Sequence, residues 1–191
     1  MDQQRLDRIR LLSARFHELQ GLRLALAGAC LAIGMGGYLI GTSQPTSSGA
    51  MIAAAASFVP VMAAMPWLNR YYATTFRRQT RTPPRHAPIF VIVYFVIATT
   101  LHVSIPSIPE GAPTMAIVGL ASLFVAIRDW PWRAYYVGAA AAAVIGFTVS
   151  EAGIAPVFLL IGVSFVPIGL LDHLLLVKLM KDVRAAAPAT E

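Results

Sequence analysis

The chain has 191 residues, 57% of them hydrophobic and 13% charged, with a mean hydropathy of +0.67. An ordinary soluble domain carries about 25% charged residues, so lipid is the expected solvent for this much apolar surface. The net charge of +6 raises the question of nucleic-acid binding, but the basic residues are placed where a membrane protein carries them, and no nucleic-acid partner is expected.

Residues 1–20 read as a cytoplasmic amphipathic helix. Ile9, Leu12, Phe16 and Leu19 recur at spacings of 3, 4 and 3 and share one face, while Arg5, Arg8 and Arg15 lie mostly off it. The expectation is an interfacial helix on the inner leaflet, with its arginines toward anionic lipid headgroups; a docking helix for a cytoplasmic partner is the alternative. This polar-rich start, with Asp2, Asp7 and Glu18, is unlike a cleaved signal peptide.

Residues 21–180 carry six apolar runs, expected as transmembrane helices forming three helical hairpins. The first run, 22–41, holds Gly28, Ala32 and Gly36 at intervals of four, a stripe that lets a neighbouring helix approach closely. Its one cysteine, Cys30, excludes an intrachain disulfide. The second run, 49–68, contains Pro60, where a kink is expected, and ends near Pro66. The stretch 69–86 is the most basic in the chain, with Arg70, Arg77, Arg78, Arg81 and Arg85, and Pro83-Pro84 marks it as loop.

The third run, 88–105, is rich in β-branched and aromatic residues, but its length favours a helix over a barrel strand of about 9–11 residues. A proline-rich turn at 106–113 leads to the fourth run, 114–127, and the tight Arg128-Asp-Trp-Pro-Trp-Arg133 connection leads back into the fifth, 135–150. There Gly138, Ala142, Gly146 and Ser150 form a second small-residue stripe. The sixth run, 155–180, has Pro156 in its expected first turn, and the tail 181–191 is expected to be disordered.

With a cytoplasmic N-terminus, six spans return the C-terminus to the cytoplasm. All 15 Lys and Arg residues then lie on the inner side, and the two clear outer charges are the acids Glu110 and Glu151. Trp67, Trp130, Trp132, Tyr71, Tyr72, Tyr135 and Tyr136 flank the inner loops as an aromatic belt. The Ala-rich, Arg-over-Lys composition suggests a bacterial inner membrane. The Trp67-Leu-Asn-Arg-Tyr-Tyr72 and Trp132-Arg-Ala-Tyr-Tyr136 runs, with Phe-Val-Pro at 58–60 and 165–167, hint at repetition among the hairpins, as interface aromatics alone also do.

Asp172-His173 is the one adjacent acid–imidazole pair in apolar sequence. A carboxylate at mid-membrane costs roughly 2.5–3.5 kcal/mol, so such residues usually have a partner or a function. Asp172 lies sixteen residues beyond Pro156, about 24 Å along a helix rising 1.5 Å per residue, which places it roughly one turn from the inner boundary of a 30 Å core. It has no basic neighbour three or four positions away, so a tethering partner is expected from Arg70, Arg128 or Arg133, with Asp129 nearby. Proton or ligand handling and an unpaired interfacial acid are the alternatives. His173 points about 100° away from Asp172 on a helix and need not act with it. His102, among Thr99, Thr100 and Ser104, is expected to satisfy a neighbouring polar group, with pH sensing as the alternative.

No CxxC, HExxH, His-x-His, Gly-x-Ser-x-Gly, P-loop or dinucleotide fingerprint occurs, so no catalytic residue, metal or cofactor is assigned. The expected function is a non-enzymatic accessory, regulatory or partner-binding membrane component, with a protein partner or a second copy meeting its small-residue faces. A small transporter or substrate-binding subunit, with helices broken at Pro60 and Pro167 around a pocket, is the alternative. An enzyme acting on lipid-borne substrates through Asp172 or Asp129 ranks third.

Overall fold

The computed structural model describes residues 12, 15–76, 109 and 111–185, with residues 184 and 185 as backbone only. Among these residues the structure is all-helical. Helix α1 spans Leu22–Gly41, α2 Ser47–Phe76, α3 Ala112–Arg128, α4 Tyr136–Val149 and α5 Ile154–Ala185, with a 3-10 turn at Ser150–Ala152. Three segments are long and apolar enough to cross a membrane: Leu22–Gly41, Ser47–Phe76 and Ile154–Val183. Helices α3 and α4 are shorter apolar elements. The expected third span, 88–105, lies outside the described residues, as do His102 and most of the basic stretch after Phe76.

The outward surfaces match a lipid environment. Ile33, Ile52, Met62, Leu120, Phe124, Val144 and Leu174 are all exposed, at positions where water would oppose each side chain. The interior is sparse and built from small residues. Helix α5 is central, with α1 and α2 on one side and α4 and α3 on the other. Leu31 and Met35 of α1, Ala54 of α2, Met115 of α3, Ala143 of α4 and Val157 and Ile161 of α5 form the core where all five helices meet.

The closest packing joins α1 to α5, and glycine makes it possible. A Cβ added at Gly162 would lie 2.6 Å from the Ala32 nitrogen and 2.8 Å from the Gly28 oxygen, and one at Gly28 would lie 2.7 Å from the Gly162 oxygen. Seven residues along, Gly169 meets Ala25 and Gly21 in the same way. Because position rises along α1 as it falls along α5, the two helices are antiparallel. Lipid supplies no hydrophobic drive between helices, so this backbone-to-backbone approach gains dispersion contacts that larger residues would prevent. Gly28 and Ala32 of the first stripe take part, but nothing lies within 4 Å of a Cβ at Gly36. The α4 stripe divides likewise: Gly146 meets Met115 and Leu160, and Gly138 faces open space.

Three boundaries depart from the sequence reading. Helix α2 runs through both Pro60 and Pro66 and continues to Phe76, where the sequence had suggested loop from residue 69. Each proline removes one backbone donor, but Leu68, Tyr72 and Phe76 are buried at 5% exposure or less, and their packing keeps the last turns helical. Helix α5 passes through Pro167 without a break and extends to Ala185, so residues 181–185 are helix rather than tail. Its entry is set by Gly153, whose φ of 102° favours glycine.

The third departure concerns the N-terminal segment. Leu12, Phe16 and Leu19, expected to enter lipid, are instead covered by Tyr72, Phe76, Leu176 and Leu179 of the chain itself. Burial of each such side chain contributes about 1.5–3 kcal/mol, against roughly 1–2 kcal/mol per ordered backbone residue. Apolar contact alone therefore leaves the segment marginally held, and polar bonds complete its attachment.

Candidate functional site

The start of α1, the end of α2, the α3–α4 connection and the last third of α5 converge at one end of the bundle. Asp172 sits there at 1% exposure. Arg133 grips it side-on, with Nε donating to Oδ1 at 2.9 Å and Nη2 to Oδ2 at 2.7 Å. The Tyr136 hydroxyl donates to Oδ2 at 2.7 Å, and the Tyr135 hydroxyl donates to Oδ1. A carboxylate offers about four acceptor positions, so these four donors saturate it.

Arg133 links Asp172 to a wider network. Its Nη1 donates to Glu18 at 3.1 Å and Asp129 at 3.2 Å, and its Nη2 also donates to the Tyr136 oxygen at 2.7 Å. Asp129 accepts a second fork from Arg128, at 2.9 and 2.7 Å, and a bond from Arg15 Nε at 3.3 Å. Glu18 accepts from Arg128 and pairs with Arg15 at 3.5 Å. Three arginines thus face three acids: Arg15, Arg128 and Arg133 against Glu18, Asp129 and Asp172. The group is formally neutral, and it ties the N-terminal segment to the α3–α4 connection and to α5.

Electrostatics follow from burial and pairing. Burial by itself pushes the Asp129 carboxyl up, but hydrogen bonds and charge from Arg128, then Arg133 and Arg15, outweigh it and hold the group below its ordinary value. Burial likewise favours neutral Arg133, and Asp172 reverses this, holding the guanidinium above its ordinary value.

His173, next in sequence, faces a different set of neighbours. Its Nε2 lies 3.4 Å from the Tyr71 hydroxyl and its Nδ1 3.3 Å from the Tyr72 hydroxyl, with the Phe76 ring edge-on. Tyr72 also accepts from the Leu22 backbone N–H at 3.1 Å, joining the ends of α1 and α2. Among the arginines considered as partners of Asp172, Arg133 binds it directly and Arg128 reaches it through Asp129 and Arg133. Arg70 is exposed on α2 and makes no ion pair with the described residues.

Sequence reasoning missed the roles of Tyr135, Tyr136, Arg15 and Glu18. The tyrosines read as a generic interface belt. A usable signal was present in the i, i+4 spacing of Asp129 and Arg133, which suits a pair across one helical turn. Glu18 belonged to an expected surface helix, and nothing local announces that it meets residues 110 positions away.

Among the described residues no group of three His, Cys, Asp or Glu side chains could hold a metal ion. No family model, characterised protein or solved structure matches the chain.

Proposed function

We propose that this chain is a multi-pass inner-membrane protein of six spans, with both termini cytoplasmic, that acts as a non-enzymatic accessory or partner-binding component. The observation that carries this reading is the saturation of Asp172. A general base or proton carrier needs a free lone pair or an exchangeable partner, and here all four acceptor positions are engaged by Arg133, Tyr135 and Tyr136. The cluster works as a clasp that fixes the N-terminal segment and the charged end of the bundle as one rigid surface. The expected partners are the bilayer, anionic headgroups at the cytoplasmic face, and a protein or second copy meeting small-residue positions such as Gly36 and Gly138.

The transporter alternative loses support, since α2 and α5 run unbroken through the prolines and Gly162 and Gly169 serve helix packing. Native mass spectrometry after purification in mild detergent tests the reading. A stoichiometric second polypeptide or a defined homo-oligomer is expected. A lone chain retaining a non-lipid small molecule would overturn it. A periplasm-active reporter fused after Glu191 is expected to be silent, and activity there would refute the six-span topology.

A further inference from the structure

Beside the clasp lies an open cleft of about 470 Å³, bounded at its polar end by His17, Gln20 and Arg23 and by Glu18, Arg133, Tyr136 and Asp172 of the clasp. Leu24, Ala27 and Val125 continue it as an apolar wall. The charges of the clasp are spent on one another, but two cleft residues are not satisfied. Gln20 is 2% exposed, and among the described residues neither its amide nitrogen nor its amide oxygen has a hydrogen-bond partner. The Arg23 Nε is likewise buried and unpartnered.

Arg23 donates from Nη2 to the neutral Asn69 Oδ1 at 2.5 Å and makes no ion pair with the described residues. It therefore brings one uncancelled positive charge to the cleft. A buried polar group left unpaired costs roughly 1–3 kcal/mol, so Gln20 and Arg23 together specify what is missing. Arg23 Nε and Gln20 Nε2 require acceptors, and Gln20 Oε1 requires a donor.

We propose that the cleft between Gln20, Arg23 and the α1 wall binds one phospholipid whose headgroup combines a singly charged phosphodiester with neutral hydroxyls, as in a phosphoglycerol head. The phosphate cancels Arg23 and accepts from it and from Gln20, while a headgroup hydroxyl donates to Gln20 Oε1. An ammonium head carries the same phosphate but adds a positive charge of its own, so the cleft keeps the net charge that Arg23 brings. A membrane lipid suits the site better than a soluble phosphate ester because Leu24, Ala27 and Val125 extend the polar end into an apolar path for an acyl chain. This site does not depend on the proposed function: the clasp stands whether or not a lipid occupies the cleft.

The test is native mass spectrometry of the full chain, delipidated in detergent and titrated with phosphatidylglycerol, phosphatidylethanolamine or glycerol 3-phosphate. One phosphatidylglycerol is expected to bind ahead of phosphatidylethanolamine. Arg23→Gln should weaken it roughly tenfold or more, and Gln20→Leu several-fold, while Arg70→Gln, which alters an exposed arginine outside the cleft, should leave it unchanged. Ala27→Phe, filling the apolar path, should weaken lipid binding as well. Should Arg23→Gln fail to fold, Gln20→Leu and Ala27→Phe decide the matter. Equal binding of the two lipids, or phosphatidylglycerol binding untouched by the cleft substitutions, overturns the proposal. Glycerol 3-phosphate binding as tightly as the lipid would overturn the lipid assignment in favour of a soluble ester.

Discussion

Replacing Arg133 with methionine removes the residue on which the clasp converges. In the native protein Arg133 and Asp172 expose 3% and 1% of their side chains, so loss of the guanidinium strips the counter-charge from a carboxylate that is largely shielded from water. Asp172 keeps the two tyrosine hydroxyls but loses its counter-charge, while Asp129 retains Arg128 and Arg15. Breaking one half of a buried pair typically costs about 3–5 kcal/mol, whereas replacing both halves with apolar residues of similar volume is often neutral or stabilising. Arg133→Met is therefore expected to destabilise the protein by about that amount, and the further change Asp172→Leu should recover most of it. The residual deficit should be about 1 kcal/mol for each tyrosine hydroxyl deprived of its acceptor. Reversible unfolding in mixed micelles, followed by tryptophan fluorescence, measures Arg133→Met, Asp172→Leu alone and the double variant. A single variant within about 1 kcal/mol of wild type, or a double variant as unstable as the sum of its singles, would refute a buried, mutually dependent pair.

The glycine contacts predict a contrast within one helix: Gly28→Leu should separate α1 from α5 and cost at least about 1–3 kcal/mol, whereas Gly36→Ala, with open space around it, should be neutral or stabilise by up to about 1 kcal/mol. Thermal unfolding of the two variants in one detergent checks this, and equal losses would remove the close-packing explanation. Asp129 gives a pH prediction. Its folded pKa lies below the unfolded one, so its contribution is present above the ordinary carboxylate value of about 3.9 and fades as pH falls through the lower, folded value. Hydrogen exchange across residues 15–20 should accelerate in that acid range, and Asp129→Asn should abolish most of the pH dependence while raising exchange at neutral pH. Tyr72→Phe removes the acceptor of the Leu22 N–H and should cost about 1 kcal/mol, read by the same unfolding assay; no change would mean that water or His173 serves Leu22 equally well.

Length, hydrophobic runs and flanking charge were enough to place α1 at 22–41 and α5 from Pro156 onward, because a membrane span needs a long apolar stretch and little else. The same reasoning put Asp172 within reach of Arg70, Arg128 or Arg133 without choosing among them, since counting along a helix is arithmetic in one dimension. It failed at Pro66, where a local rule about proline gave way to the burial of Leu68, Tyr72 and Phe76, and at Leu12, Phe16 and Leu19, whose spacing shows that they are covered but not by what. An amphipathic pattern reads the same whether lipid or another part of the chain faces it.

The clasp and the cleft needed the tertiary structure for a related reason. Glu18 meets Arg128, Tyr72 meets Leu22, and Gly21 lies against Gly169 across separations that no local pattern encodes. The sequence by itself determined that these helices belong in lipid and that the acid at 172 lies near basic loops that could supply a partner. Only the tertiary packing decided the rest: the α3–α4 connection laid against α5 fixed which arginine supplies the partner, and α1 against α5, set by glycines whose meeting points depend on the relative height and rotation of two helices, left Gln20 and Arg23 unsatisfied beside it.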